Sequence, residues 1–225
     1  MKTVFQHIQH DIPKLVRVDS AGGRVYQTPS GKAYPSVTSV LGLLGKAEIH
    51  EWRKRVGEEE ANRVSSRAAR RGTAIHSLCE DYLLNKDINP GPFDLETFRS
   101  ISPYLNKINN IHCLETQLYS DYLQVAGTVD CIAEYDGELA IIDFKTSKKP
   151  KPKDWIEHYF VQCMAYGCML YELTGISVKK LVIIMACENG ECVVYEERDK
   201  SKYIKLLSKY IRKFVRDKLE LYGTK

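Results

Sequence analysis

No two of the seven cysteines, at 79, 113, 131, 163, 168, 187 and 192, have the C-x-x-C spacing of a zinc or redox site. Their number is odd and most have apolar neighbours, so they read as small core residues in a reducing compartment. No apolar run is long enough to span a bilayer. The start, MKTVFQHIQHDIPK, has neither the apolar centre of a signal peptide nor the Arg/Ser-rich amphipathic character of a transit peptide. A soluble cytoplasmic chain with no membrane partner is therefore expected. Repeats and low-complexity tracts are absent. Charge of one sign is scarce as well: 33 basic against 29 acidic residues leave +4, too little to announce a nucleic-acid partner by itself.

The distribution of charge says more than its sum. Between Trp52 and Arg71 stand Arg53, Lys54, Arg55, Arg63, Arg67, Arg70 and Arg71. A second cluster is Lys148, Lys149, Lys151 and Lys153. A third runs from Lys200 to Lys218 and reads as a solvated helix face. At 225 residues the chain can bury one full core.

The most informative stretch is GTVDCIAEYDGELAIIDFKTS, from Gly127 to Ser147. Asp136-Gly137 is a hairpin turn between two strands. Asp130 lies in the first strand, and Asp143 and Lys145 lie two apart in the second, on one face of it. Ile141 and Ile142 make that strand's start apolar. Ionised groups at the end of a buried strand need a partner. An ion pair is one answer. A hard divalent cation, Mg²⁺ or Mn²⁺, is the other.

Upstream, Gly72-Thr-Ala-Ile-His76 opens a stretch in which Ile75, Leu78, Cys79, Tyr82 and Leu83 form a helical stripe. His76 and Glu80 are i and i+4 and share a helix face. Gln162 and Tyr166 have the same spacing further on, and Glu115 lies in the strand before the hairpin. The expected elements are small strands within 14–34 around Ala21-Gly22-Gly23 and a short helix over 36–44. A charged helix over 48–70 and a second, capped by Thr73, over 73–85 come next, then a helix over 94–111. Three strands follow at 113–121, 124–135 and 138–146. A helix over 154–173, strands at 178–187 and 191–197 and a last helix over 199–221 close the chain. That order predicts the α/β class, a mixed central sheet flanked by helices.

Taken in order, Gly72…His76, Gly127-Thr-Val-Asp130, Asp143-Phe-Lys145 and Gln162…Tyr166 resemble the RecB-like branch of the PD-(D/E)XK nuclease superfamily. Tyr34-Pro-Ser-Val-Thr-Ser-Val-Leu41, Trp52-Arg-Lys-Arg55 and Asp143-Phe-Lys-Thr-Ser-Lys-Lys-Pro150 look like the mitochondrial genome maintenance exonucleases and their compact bacteriophage relatives. The resemblance implies an αβββαβ nuclease core over 73–225 and an N-terminal part, 1–72, carrying a helical arch. It implies one or two Mg²⁺ or Mn²⁺ ions held by His76, Asp130, Asp143 and the Phe144 carbonyl, with Lys145 acting on the attacking water. Gln162, Tyr166, Thr146, Ser147, Arg67, Arg70, Arg71 and Lys148 are the expected substrate contacts, and Glu115 and Glu80 supporting residues. The cysteine pattern departs from that of the iron–sulfur members, so no cluster is expected. The implied activity is metal-dependent exonuclease action on free-ended single-stranded DNA. The alternatives are an endonuclease, a double-strand-resecting exonuclease and a catalytically silent DNA-binding subunit. Trp52 is read equally as a stacking platform or as core packing. A chain this compact suits a stand-alone enzyme of a bacterium or bacteriophage.

Overall fold

A computed structural model describes residues 3–20 and 23–222. Its centre is a five-stranded sheet in the order β4-β5-β6-β7-β8. The strands are β4 (Ile108–Ser120), β5 (Val125–Tyr135), β6 (Glu138–Ser147), β7 (Lys180–Cys187) and β8 (Cys192–Glu197). The β5–β6 turn has positive φ at both Asp136 (50°) and Gly137 (79°), the combination a two-residue hairpin needs. β6 and β7 are parallel, the other neighbours antiparallel. A parallel pair requires a crossover, and helix α5 (Glu157–Thr174) supplies it. Gly175 ends α5 in the left-handed region at φ 74°.

Both faces of the sheet are covered, as a parallel pair demands. On one face Ile141, Leu181, Ile183 and Met185 pack with α5. Helices α1 (Val37–Leu41) and α6 (Ser201–Tyr222) close the same core. On the other face Ile142, Phe144, Val182 and Ile184 meet α3 (Glu58–Leu83) and α4 (Pro92–Leu105). Five of the cysteines are buried in these layers. A three-stranded antiparallel sheet, β1 (Val16–Ser20), β2 (Gly23–Gln27) and β3 (Ala33–Pro35), packs through Tyr26 and Tyr34 on Ala126 of β5. Ala21 and Gly22, part of the turn expected there, lie outside the described residues. No helix among the described residues is long and apolar enough to cross a membrane.

Two helix boundaries differ from the sequence reading. The basic segment breaks at Gly57, between α2 (Lys46–Val56) and α3, and not at Gly72. Gly57 takes φ 86°, which a residue with a Cβ adopts only under strain. Gly72 is instead inside one 26-residue helix, and Thr73 is helical and exposed, so it caps nothing. A mid-helix glycine costs about 1 kcal/mol, less than three acidic residues in the first turn and a packed C-terminal half can offset. α3 therefore runs unbroken through the division expected at 72/73. The helix expected over 94–111 stops at Leu105, because Ile108, Ile111 and Cys113 belong to β4. Asn110 (φ 46°) marks a register shift between Asn109 and Cys113. Gln6 and Ile8 hydrogen-bond to Ile111 at that irregular edge, shielding it.

Candidate active site

β4, β5 and α3 bring three ligand-type side chains together. Leu114 pairs with Cys131 and Thr116 with Val129, so Glu115 stands opposite Asp130. Glu115 has φ 45°, a left-handed conformation that is strained for a glutamate. The Thr116 hydroxyl accepts from the Leu114 N–H (3.2 Å) and donates to the Leu114 carbonyl (3.1 Å), pinning the kink. His76 Nδ1 lies 3.6 Å from Asp130 Oδ2. One donor atom each from His76, Glu115 and Asp130 falls within 4.8 Å of the others. Ligands on opposite sides of one ion stand about 4–5 Å apart, twice a bond of about 2.1–2.4 Å, so the spacing suits a divalent cation.

The hairpin supplies the other half. The Phe144 N–H donates to Asp130 Oδ2 at 2.9 Å and fixes that carboxylate. Asp143 is 2% exposed. Gln162 Nε2 donates to its Oδ1 at 3.0 Å. Lys145 Nζ lies 2.5 Å from its Oδ2. That approach is close but badly angled, and Asp143 Oδ2 is left as a buried oxygen with no hydrogen bond. The Lys145 ammonium is itself the cation that compensates this buried oxygen. Burial pushes the Asp143 carboxyl up to about 6, against the pull of the Lys145 ammonium. Burial alone would lower Lys145; the Asp143 and Asp130 carboxylates outweigh it and raise its pKa, so it is held as a cation. Its Nζ also sits over the Tyr159 ring at 4.9 Å. Glu115 is pushed up to about 7 by burial first, then by Asp130, Glu80 and Asp143.

Gly127 and Tyr166 explain each other. A Cβ on Gly127 would lie 2.9 Å from Tyr166 Cε1 and Oη, closer than real contacts allow. Only glycine lets the ring lie against β5. Tyr166, expected to contact substrate, is 2% exposed and forms the floor of the site. Gln162, also expected to contact substrate, lines the cavity and positions Asp143.

A cavity of about 640 Å³ opens over these groups, walled by His76, Glu80, Glu115, Asp130, Lys145, Gln162 and Tyr166. Thr146, Ser147, Arg67, Arg71 and Lys148 line a separate cavity of about 150 Å³. Within it Arg71 is committed to Glu188 (3.0 Å) and Thr97 (2.9 Å), so it ties α3 to the β7–β8 turn and to α4 and is not a free anion contact. Arg67 is exposed, 3.8 Å from Glu188. Arg70 is exposed and lines neither cavity. Sequence reasoning missed Arg17, Arg24 and Tyr26, which form the opposite wall of the large cavity. Asp19 holds both arginines, at 2.8 and 3.0 Å. Nothing local in β1 tells which cavity Arg17 and Asp19 meet.

A mixed sheet with an Asp-x-Lys hairpin strand, a facing aspartate and a helix-borne histidine defines a nuclease site, and the chain belongs to the PD-(D/E)XK nuclease superfamily, which it matches over residues 92–219. Among curated proteins it is similar to the human mitochondrial genome maintenance exonuclease 1, 29% identical over 173 residues, or 69% of this chain and 50% of that protein. The mouse protein of the same name is 31% identical over 129 residues, 52% of this chain and 38% of that one. An ATP-dependent helicase/nuclease polypeptide of Thermoanaerobacter sp. (strain X514) is 32% identical over 84 residues, covering 36% of this chain and 7% of the relative. The chain thus spans half the length of these relatives or less.

Proposed function

We propose that this protein is a divalent-metal-dependent exonuclease that hydrolyses free-ended single-stranded DNA. The observation that carries the reading is the convergence of His76, Glu115 and Asp130 beside a buried Asp143–Lys145 pair in one cavity. The donor spacing fits a Mg²⁺ or Mn²⁺ ion, and an imidazole donor tilts the preference to Mn²⁺. His76, Glu115 and Asp130 would hold it, with Asp143 and the Phe144 carbonyl available to it or to a second ion. When bound, such an ion supplies an activated water and neutralises charge on the phosphate.

The chain's own groups do the rest. Gln162 and the Phe144 N–H hold the two aspartates in place before substrate arrives, and such preorganisation is where electrostatic catalysis gains most. Lys145, kept cationic, steadies the negative charge that builds on the phosphoryl oxygens and orients the nucleophile. It does not serve as the resting proton acceptor. Arg17 and Arg24 across the cavity share the single Asp19 carboxylate, which leaves the pair one positive charge for the neighbouring phosphate. α2 and the first half of α3 form the arch: none of α2 is buried, and Arg63, Arg67 and Arg70 are exposed along α3. Their spacing suits backbone tracking better than base reading. Trp52 is half-buried, between the two roles weighed for it.

The test is a digestion of end-labelled linear and circular single strands of one sequence, with Mg²⁺, Mn²⁺ or EDTA. Linear strands should disappear only with metal, and circles should persist. Equal loss of both would make the protein an endonuclease. Binding without cleavage under every metal condition would make it a silent DNA-binding protein.

A further inference from the structure

Helix α6 carries a second set of cations that the site does not use. Lys205, Lys209, Arg212, Lys213 and Arg216 are all exposed. At about 100° per residue they fall within an arc of roughly 100°, in a stripe about 16 Å long. The opposite side of the helix is consumed by the fold: Tyr203 and Leu207 are buried, and Tyr210, Ile211 and Phe214 pack on the α5 core. Lys202, one turn before the stripe, is neutralised by Glu157 at 2.5 Å. Arg216 has Asp217 at 3.7 Å. Lys205, Lys209, Arg212 and Lys213 have no ion-pair partner among the described residues. Three pairs, 205/209, 209/213 and 212/216, are like charges at i, i+4, which works against the helix. The helix dipole does not account for them, because the last turn carries no basic residue.

The stripe borders a groove of about 830 Å³ shared with Leu44. Ser36 and Thr38, at the start of α1, line the catalytic cavity. Leu44 lies just past the other end of α1, so about 12 Å of helix-like rise separates the two surfaces. α2, the first arch helix, begins directly after Leu44, at Lys46.

We infer that the basic face of α6 is an accessory track for the phosphodiester backbone of a nucleic-acid strand, separate from the catalytic cavity and continuous with the root of the arch. The inference rests on the proposed nuclease function for its ligand. Charge complementarity identifies a polyanion, and Lys205, Lys209 and Lys213 at steps of about one helical turn, with Arg212 beside the last, present a linear array that a strand backbone fits. A membrane surface is the poorer match, because Tyr203, Leu207, Tyr210, Ile211 and Phe214 are taken up by the core, which leaves Ile204, Val215 and Leu219 as the exposed large apolar residues described on this helix.

The experiment compares wild type with Lys209→Glu/Lys213→Glu. Both side chains are exposed, so the fold should be kept, and unchanged thermal melting checks this. Anisotropy of labelled oligo-dT of about 8 and about 30 nucleotides is read in EDTA, across a salt series. Wild type should bind the long strand at least tenfold tighter than the short one. The variant should lose most of that advantage, its salt slope falling by about 1.4 for two lost phosphate contacts, while cleavage of the short strand with metal stays at the wild-type rate. Long-strand affinity and slope equal to wild type would overturn the inference. So would an effect seen equally on the short strand, or a charge-dependent loss of binding to anionic vesicles with DNA binding unchanged. Failure of wild type itself to bind or cut any DNA would sink the nuclease reading instead.

Discussion

At the residue scale, two motif positions act through space and not through chemistry. Gly127 is needed because Tyr166 lies where its Cβ would be. Gly127→Ala should destabilise by about 1–3 kcal/mol, as overpacking does, and urea unfolding measures it. Tyr166→Leu should suppress much of that loss in a double-mutant cycle; strictly additive effects would deny the contact. Lys145→Ala should lower the cleavage rate at saturating DNA by roughly a hundredfold or more, and wild-type turnover would remove Lys145 from the mechanism. The hairpin residues were legible in the sequence because Asp130, Asp143 and Lys145 belong to one short local unit. Glu115 was legible only as a supporting residue. Its place beside His76 and Asp130 depends on a kinked φ and on strand register, neither of which its flanking residues announce. Arg71 was read as a phosphate contact for the converse reason: Glu188, which neutralises it, is distant in sequence.

At the scale of elements, strands were easier to read than helix breaks. The hairpin turns at Asp136-Gly137 and Asn189-Gly190 name themselves by residue type. Gly57 and Gly72 do not, since one glycine can end a helix or sit within it. The structure separates them by conformation. Gly57 holds φ 86°. Gly72 is helical, and a Cβ there would meet Thr146 Oγ1 at an ordinary 3.7 Å. Gly72→Ala should therefore raise stability by about 0.5–1 kcal/mol, whereas Gly57→Ala should lower it by about 1 kcal/mol or more. Equal effects in denaturant melts would mean that α2 and α3 are not divided at Gly57. The continuity of α3 also has a functional side. Arg63, Arg67 and His76 ride on one helix, so the exposed cations and the histidine beside Asp130 share one element.

At the scale of the whole molecule, the site opposes the stability of the metal-free fold. Glu115 rises from an ordinary 4.5 to about 7, and Asp143 from 3.8 to about 6. Between those values the native state keeps protons that the unfolded chain has released. By linkage, stability then falls as pH rises. Lys145 adds no slope there: a raised lysine stabilises fully below its ordinary value and loses that only at higher pH. In EDTA these two carboxyls should pull the melting temperature down from about pH 4.5 to about pH 7, against His112 and His158, whose burial lowers their pKa and pulls the other way. Glu115→Gln should flatten the upper part of that decline, leaving the Asp143 part below about pH 6. Saturating Mg²⁺ or Mn²⁺ should reverse the slope in wild type, because a cation binds only the ionised carboxylates and its binding releases their protons. Glu115 opens towards the cavity, so water screens it and its share should be the smaller one. Differential scanning fluorimetry in matched buffers reads all three curves. If Glu115→Gln does not flatten the EDTA curve, or if metal leaves the wild-type slope unchanged, the two carboxylates are not the proton-linked metal ligands of this fold.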